Sequence, residues 1–187
     1  QTHTVVIDLV RRGLVDGLRI DHPDGLADPG GYLARLAEAT GSTWTVVEKI
    51  LARREPLTAD WRAAGTTGYE SLTMVNSLLV DPRGEQALSA LYTDVTGEPA
   101  DFTAVAQDGK RLIMREVLSP ELTRLARLLA TGEPGEREDT LRAASHEVLC
   151  RLQVYRPFES SSFTVEALEQ AVALATAENP SLAREIE

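Results

Sequence analysis

Apolar residues in the first third of the chain follow the spacings of short helices and strands. Residues 4–12 have the periodicity of an amphipathic helix. Residues 17–20 and 44–47 are short apolar runs, the second rich in the aromatic and β-branched residues that strands favour. Between them, residues 28–41 predict a helix that begins at an Asp-Pro pair and ends at a glycine. Strand, helix and strand in this order predict a βαβ unit, whose two strands run parallel.

Beyond residue 68 the apolar spacing is almost exclusively helical. The longest such stretch covers residues 102–129, and Pro120 should break it near Ser119. A polar, turn-rich link, "TGEPGERE", follows at residues 131–138. The predicted fold class is therefore mostly α with a small parallel β part. We expect two domains: residues 1–68, a helix-strand-helix-strand segment, and residues 69–187, a helical subdomain.

Composition and charge narrow the range of partners. The 187 residues are 43% hydrophobic and 26% charged, as in a soluble globular protein, and the net charge is -10. Nucleic acids and anionic membranes need a basic face, so neither is expected as a partner. No apolar run approaches the roughly 20 residues of a membrane span. The single cysteine, Cys150, indicates a reducing compartment, and we expect a cytoplasmic protein. We expect neither a cofactor nor a metal.

Charged side chains stand at the end of each predicted strand. Arg19 and Asp21 are two residues apart, so they project from the same face of the first strand. A guanidinium beside a carboxylate favours the ionised form, which a nucleophile needs. Glu48 ends the second strand among apolar residues, which disfavour the charge and suit a general acid. The pair Asp21 and Glu48 is the candidate catalytic centre.

The geometry of parallel strands predicts how these carboxylates would act. If the two strands are neighbours, their axes lie about 4.8 Å apart. Both side chains then leave the C-terminal strand ends, where barrel enzymes carry their sites. Carboxyl groups about 5 Å apart are typical of retaining glycosidases, in which one is the nucleophile and the other the acid/base.

Two segments carry a resemblance to a known family. "DGLRIDH" resembles the nucleophile segment of the α-amylase superfamily, and "VVEKI" resembles its acid/base segment. The longer string that continues through "ADWRAAGTTGYESL" resembles the maltooligosyltrehalose synthases. This resemblance implies a (β/α)8-barrel, with Asp21 as nucleophile, Arg19 as its partner and Glu48 as acid/base. It also suggests sugar contacts for His22 and Tyr69.

The resemblance implies a reaction and an incomplete site. The substrate would be a linear maltooligosaccharide, whose reducing-end α-1,4 bond is rearranged to α-1,1 by intramolecular transglycosylation. The superfamily site also needs an earlier Asp and His segment and a later catalytic aspartate, and neither is recognisable in this sequence. We therefore expect an internal fragment: part of a barrel followed by an inserted helical subdomain, inactive alone.

Several residues also have plain structural interpretations. Arg19 and Asp21 could form only a structural ion pair, and Lys49 could simply pair with Glu48. Asp24 and Asp28 suit a turn and a helix cap. The side-chain types further favour Trp44 and Cys150 as core residues, Trp61 as core or a sugar platform, and Tyr69 as a packed aromatic. Two other functions stay open: a helical binding module, and another hydrolase or transglycosylase of the α-amylase superfamily.

Overall fold

The structure, a computed structural model, describes residues 2–130 and 136–186. These residues form two compact units. The first contains the chain up to Val80 together with Arg156–Thr164, and the second contains Asp81–Tyr155 and the chain from Val165 onward. The domain boundary expected at residue 68 stays a prediction.

The first unit is built around a small parallel sheet. Its elements are α1 (Thr4–Arg11), β1 (Gly17–Ile20), α2 (Pro29–Thr40), β2 (Trp44–Val47), β3 (Gly65–Thr66) and α3 (Tyr69–Leu78). The strand order is β1-β2-β3, and both neighbouring pairs are parallel. The predicted βαβ unit is therefore confirmed, and a third, two-residue strand extends its sheet.

The expected signals mark both ends of α2. Asp28 caps its first turn, because its carboxylate accepts a hydrogen bond from the Gly31 amide at 2.7 Å. Pro29 suits the first helical position, since its missing N–H would have no partner there. Gly41 ends the helix with φ 68°, a left-handed conformation that glycine adopts easily. Local chemistry thus explains the length of the crossover helix.

Two apolar clusters hold this sheet in place. Leu33, Val47, Trp61 and Phe158 form the first, and Val10, Leu18 and Leu36 form the second. Trp61 is thus a core residue, with its ring edge-on to that of Phe158 at 5.6 Å. The expectation that Trp44 is core is wrong, because its side chain is 61% exposed. Strand alternation gives the reason: Thr45 and Val47 take the buried face of β2.

The second unit is helical in all its described elements. They are α4 (Glu85–Thr96), α5 (Phe102–Glu116), α6 (Ser119–Ala130), α7 (Glu136–Arg151), α8 (Ser162–Glu178), whose first residues lie in the other unit, and α9 (Ala183–Ile186). The break near Ser119 is confirmed. Of the expected polar link, residues 131–135 lie outside the described part, and α7 begins at Glu136. Alanines occupy packed positions in this unit: Ala126 lies in one buried cluster with Leu141, and Ala144 lies in another with Ala175. Cys150 is buried, as expected.

None of the helices that the structure describes is both long and apolar enough to cross a membrane. The elements described above give the observed fold class, which is mostly α with a small parallel sheet.

Candidate active site

The two candidate carboxylates follow directly after neighbouring parallel strands. Ile20 pairs with Val47 in the register of β1 and β2, so Asp21 and Glu48 occupy the next position on each strand. The Glu48 amide continues the ladder by donating to the Ile20 carbonyl at 2.7 Å. The neighbouring arrangement that the geometric argument required is present, and both residues leave the sheet at its C-terminal edge.

The Glu48 carboxylate reaches across to the first loop. Its Oε2 accepts a hydrogen bond from the backbone amide of His22 at 3.2 Å, and the side chain is partly buried. His22 is the residue after Asp21. This single contact joins the two strand ends through the carboxylate itself.

Arg19 and Asp21 form the expected pair. The Arg19 Nη2 and Asp21 Oδ1 atoms are 2.8 Å apart, and the two side chains are 59% and 70% exposed. An ion pair this exposed contributes only about 0–1 kcal/mol to stability. The pair therefore exposes the Asp21 carboxylate at the strand end with a guanidinium beside it, and it contributes little to the stability of the fold.

A third segment enters at the same edge of the sheet. After β3, the Thr67 amide donates to the Val47 carbonyl at 3.0 Å, and Tyr69 begins α3 two residues later. The Tyr69 side chain is 40% exposed. The Thr66 hydroxyl donates to the Glu70 carboxylate, which ties this loop to the first turn of α3. Tyr69 thus lies three residues beyond the end of β3, at the start of the helix that follows the third strand.

His22 has an unusual backbone. Its φ and ψ are 47° and 49°, the left-handed region that a non-glycine residue adopts only when its surroundings require it. Its side chain is exposed, and a Cβ added at Gly25 would lie 2.8 Å from the His22 Cδ2. The bare backbone of Gly25 leaves room for the imidazole at the rim of the strand ends.

A buried ion cluster, which the sequence did not predict, lies where these loops meet. Lys49 Nζ lies 3.1 Å from Asp24 Oδ2 and 3.0 Å from Glu55 Oε1. Lys49 thus forms its ion pairs with Asp24 and Glu55 and not with Glu48. The Glu48 carboxylate instead accepts the hydrogen bond from the His22 amide. Asp24 is consequently more than a turn residue. The available signal was a lone lysine inside the apolar run "VVEKIL".

The same loop is also held by the segment that returns to this unit. Arg156 Nη1 donates to the Asp24 carbonyl at 2.8 Å and also to the Leu26 carbonyl. The Arg156 guanidinium lies 5.0 Å from the centre of the Phe158 ring.

Among the described residues, no group of three or more His, Cys, Asp or Glu side chains converges as metal ligands would.

Comparisons with known proteins agree on one family. No family model matches the sequence. Two Mycobacterium tuberculosis proteins named maltooligosyl trehalose synthase are 40% identical over 156 residues, which is 83% of this chain and 20% of theirs. The maltooligosyltrehalose synthase structure from Arthrobacter ramosus is 39% identical with a TM-score of 0.87, over 99% of this chain and 24% of that one. A hypothetical maltooligosyl trehalose synthase of Sulfolobus tokodaii is 29% identical with a TM-score of 0.68, over 92% and 23%.

The chain therefore spans about a fifth to a quarter of the length of the relatives that it matches. Both the sequence and the fold of that span agree with them, and the strand-end segments that carried the resemblance lie side by side in the structure. Over nearly its whole length, this chain is a relative of the maltooligosyltrehalose synthases and matches one part of them.

Proposed function

We propose that this chain supplies two catalytic carboxylates of a retaining enzyme that rearranges α-glucans. The observation that carries the proposal is the register of β1 and β2, with Asp21 and Glu48 at neighbouring strand ends. The 2.8 Å contact between Arg19 and Asp21 supports an ionised nucleophile. The parallel sheet and its crossover helix α2 are what one segment of a (β/α)8-barrel would contain, and we propose that barrel as the full fold.

The proposed mechanism has two steps. The Asp21 carboxylate attacks the anomeric carbon of the penultimate glucose, while Glu48 gives its proton to the bridging oxygen of the reducing-end α-1,4 bond. The released glucose stays bound and reorients, so that its anomeric hydroxyl faces the covalent intermediate. Glu48 then takes the proton from its anomeric hydroxyl, whose oxygen displaces Asp21 and forms the α-1,1 bond. Two inversions give net retention at the attacked carbon.

Water must be kept from the covalent intermediate, because hydrolysis would otherwise release the glucose. Asp21 is 70% exposed and Glu48 is only partly buried in this chain. We propose that further polypeptide closes the site and contributes its third catalytic carboxylate. His22 and Tyr69, at the rim of the same strand ends, are the proposed sugar contacts.

A chimera tests these roles in a complete protein. The matched segment of the Arthrobacter ramosus synthase would be replaced by this chain and incubated with linear maltopentaose, with reducing ends and free glucose followed together. We expect reducing ends to disappear without glucose release. Asp21→Asn should lower turnover by more than about 10⁴-fold, and Glu48→Gln by about 10²- to 10⁴-fold. Incubated alone, the chain should leave the reducing ends unchanged.

Matched controls separate catalysis from folding. Asp28→Asn at the N-cap of the crossover helix α2 and Glu38→Gln within that helix each remove an exposed carboxylate and should leave turnover within a few-fold of the chimera. Full activity of the Asp21→Asn chimera would refute the nucleophile assignment. Steady release of glucose by the unmodified chimera would instead identify a hydrolase. Turnover by the chain alone would show that its site is already complete.

A further inference from the structure

We infer that Lys49 is a positioning residue that locks the loop after Asp21 to the loop after Glu48. The inference rests on the proposed roles of Asp21 and Glu48, but its structural part can be tested without turnover. Lys49 makes no proposed contact with a sugar. It acts through the backbone of its neighbour Glu48 and through Asp24, which lies three residues beyond Asp21.

The ammonium group lies where the two loops meet. The Lys49 side chain is 0% exposed, and those of Asp24 and Glu55 are 6% and 1% exposed. Its Nζ contacts both carboxylates at about the same distance, 3.1 and 3.0 Å. Asp24 belongs to the short 3-10 helix Pro23–Gly25 that directly follows His22. One buried cation therefore joins the loop after β1 to the loop after β2.

The loop beyond Lys49 is closed onto itself by the same cluster. Glu55 Oε2 accepts a hydrogen bond from the Ala52 amide at 2.8 Å, while its other oxygen faces Lys49. Glu55 thus fixes the residues after Lys49 as Asp24 fixes those after His22. The alternation of buried and less buried residues in β2 continues past its end, so the Lys49 ammonium reaches inward while the Glu48 carboxylate reaches towards His22.

The residue type supports a specific fit. The chain contains 19 Lys and Arg together, and only Lys49 and Lys110 are lysines. A guanidinium is planar and larger, whereas an ammonium is a compact charge that can face two carboxylates and an aromatic ring. The Phe158 ring centre lies 5.6 Å from Lys49 Nζ. One of the two lysines thus occupies this fully buried position between two carboxylates.

The cluster depends strongly on its one ammonium. Asp24 Oδ1 is buried and has no hydrogen-bond partner among the described residues. Arg156 donates to backbone carbonyls of the loop, those of Asp24, Leu26 and Ala27. Without Lys49, two buried carboxylates would face each other without a cation, which is unfavourable. The loops would separate, and the His22 amide would move away from Glu48.

Nuclear magnetic resonance of the whole chain gives a direct readout. The amide proton of His22 should have a downfield shift from the hydrogen bond that it donates to the Glu48 carboxylate, and Glu48→Ala should remove that downfield shift. In Lys49→Met we expect the same loss, while the resonances of Leu33 in α2 keep their native positions. Lys49→Arg should not rescue the shift. Lys110→Met, the matched lysine control in α5, should leave it unchanged.

A triple variant covers the case in which Lys49→Met does not fold. Lys49→Met with Asp24→Asn and Glu55→Gln removes the cation together with both buried charges. We expect it to fold and still to lack the His22 shift. If the downfield shift of the His22 amide persists in whichever of these two variants is folded, Lys49 has only a stabilising role and the inference is overturned.

The chimera adds a kinetic readout that keeps the two proposals distinguishable. Lys49→Met should lower kcat by about 10²-fold, the cost of a small misplacement of reacting groups, with KM changed less than about threefold. A raised KM with an unchanged kcat would overturn the positioning role. If Asp21→Asn leaves the chimera fully active, the proposed function fails, whereas the His22 result still decides whether Lys49 holds the loops together.

Discussion

At the scale of single residues, neighbouring positions after β2 have different roles: one belongs to the candidate catalytic pair, and the other belongs to the buried ion cluster that supports it. Glu48 and Lys49 are adjacent in sequence, yet one reaches the His22 amide at the strand ends and the other is fully buried between Asp24 and Glu55. A substitution at either position should therefore have a different kind of consequence. Changes at exposed site residues should affect turnover, and changes in the buried cluster should affect folding as well.

Arg19→Gln tests this separation at the exposed ion pair. Because Arg19 is 59% exposed, we expect the free energy of unfolding to change by less than about 1 kcal/mol in urea denaturation. Turnover of the chimera should fall by about 10²-fold, since the charge beside Asp21 is lost. Arg35→Gln, which removes a 69% exposed guanidinium 3.8 Å from Asp28, is the matched control. A loss of stability well above that of the control would make the Arg19 pair structural.

The sequence predicted the positions of Asp21 and Glu48 better than it predicted the buried ion cluster around Lys49. Strand ends can be read from local patterns, so Asp21 and Glu48 could each be placed after a strand; that the two strands are neighbours was a condition, and the structure supplies it. The two carboxylate partners of Lys49 lie on two irregular loops, and the aromatic ring that it also faces, Phe158, is more than a hundred residues away. No local spacing contains that information. The exposure of Trp44 was missed for a related reason, because four residues do not reveal which face of a strand is covered.

At the scale of elements, the effect of a glycine on stability depends on its backbone conformation. Gly109 lies inside α5, and a Cβ added there meets nothing within 4 Å. Gly109→Ala should therefore raise the free energy of unfolding by about 0.5–1 kcal/mol, because alanine loses less backbone entropy in a helix. Thermal or urea unfolding followed by circular dichroism measures the change.

Gly97→Ala is the matched control for this prediction. An added Cβ at Gly97 also meets open space, but this residue ends α4 with φ 73°. Alanine is strained in that conformation, so this variant should be destabilised. Equal effects of the two substitutions would mean that backbone conformation does not govern either site.

Acid should weaken the contact between α7 and α8. Burial alone would raise the pKa of Glu147, but hydrogen bonds from Arg151 and His146 and the charges of Arg151 and Arg111 outweigh it and hold the pKa below its ordinary value of 4.5. A lowered pKa stabilises the fold above pH 4.5, and this contribution is lost as the pH falls through the folded-state value. Arg151 also binds Glu178 of α8, so the network joins both helices.

Glu147→Gln tests that pH dependence. At pH 7 the variant should be less stable than the parent chain by roughly 1–2 kcal/mol, because a charged hydrogen-bond acceptor is lost. The difference should shrink below pH 4.5. Urea denaturation at pH 7, 5 and 3.5 measures both effects. Asp139→Asn, at an 82% exposed carboxylate 3.9 Å from Arg142, should show neither. A difference that is constant with pH would contradict the ionic explanation.

Elements with local signals were the predictable ones. One or two residues mark each of these boundaries: Gly41 ends α2, and Pro120, in the first turn of α6, follows the break between α5 and α6. β3 was not predicted, because a strand of two residues has no period and exists only through its pairing with Val46 and Val47. Its position depends on the irregular chain between β2 and β3, which the Trp61 side chain anchors in the core.

At the scale of the whole molecule, parts of the chain bury little apolar surface. The chain spans only about a fifth to a quarter of the length of its relatives. Both α3 and α4, which the structure describes completely, contain no buried residue. Leu78 and Leu79 at the end of α3 are 85% and 84% exposed. Contiguous exposed apolar residues favour association between molecules.

The isolated chain should therefore associate with itself and bind an apolar dye. Replacing Leu78 and Leu79 together by asparagine should weaken both effects, with stability changed by less than about 1 kcal/mol because neither side chain is buried. Sedimentation velocity over a range of concentrations and the fluorescence of anilinonaphthalene sulfonate measure the two effects. Leu33→Asn, at a 1% exposed core position, is the contrasting control and should unfold the sheet unit. A monomer without dye binding at every concentration would show that these leucines are shielded in solution.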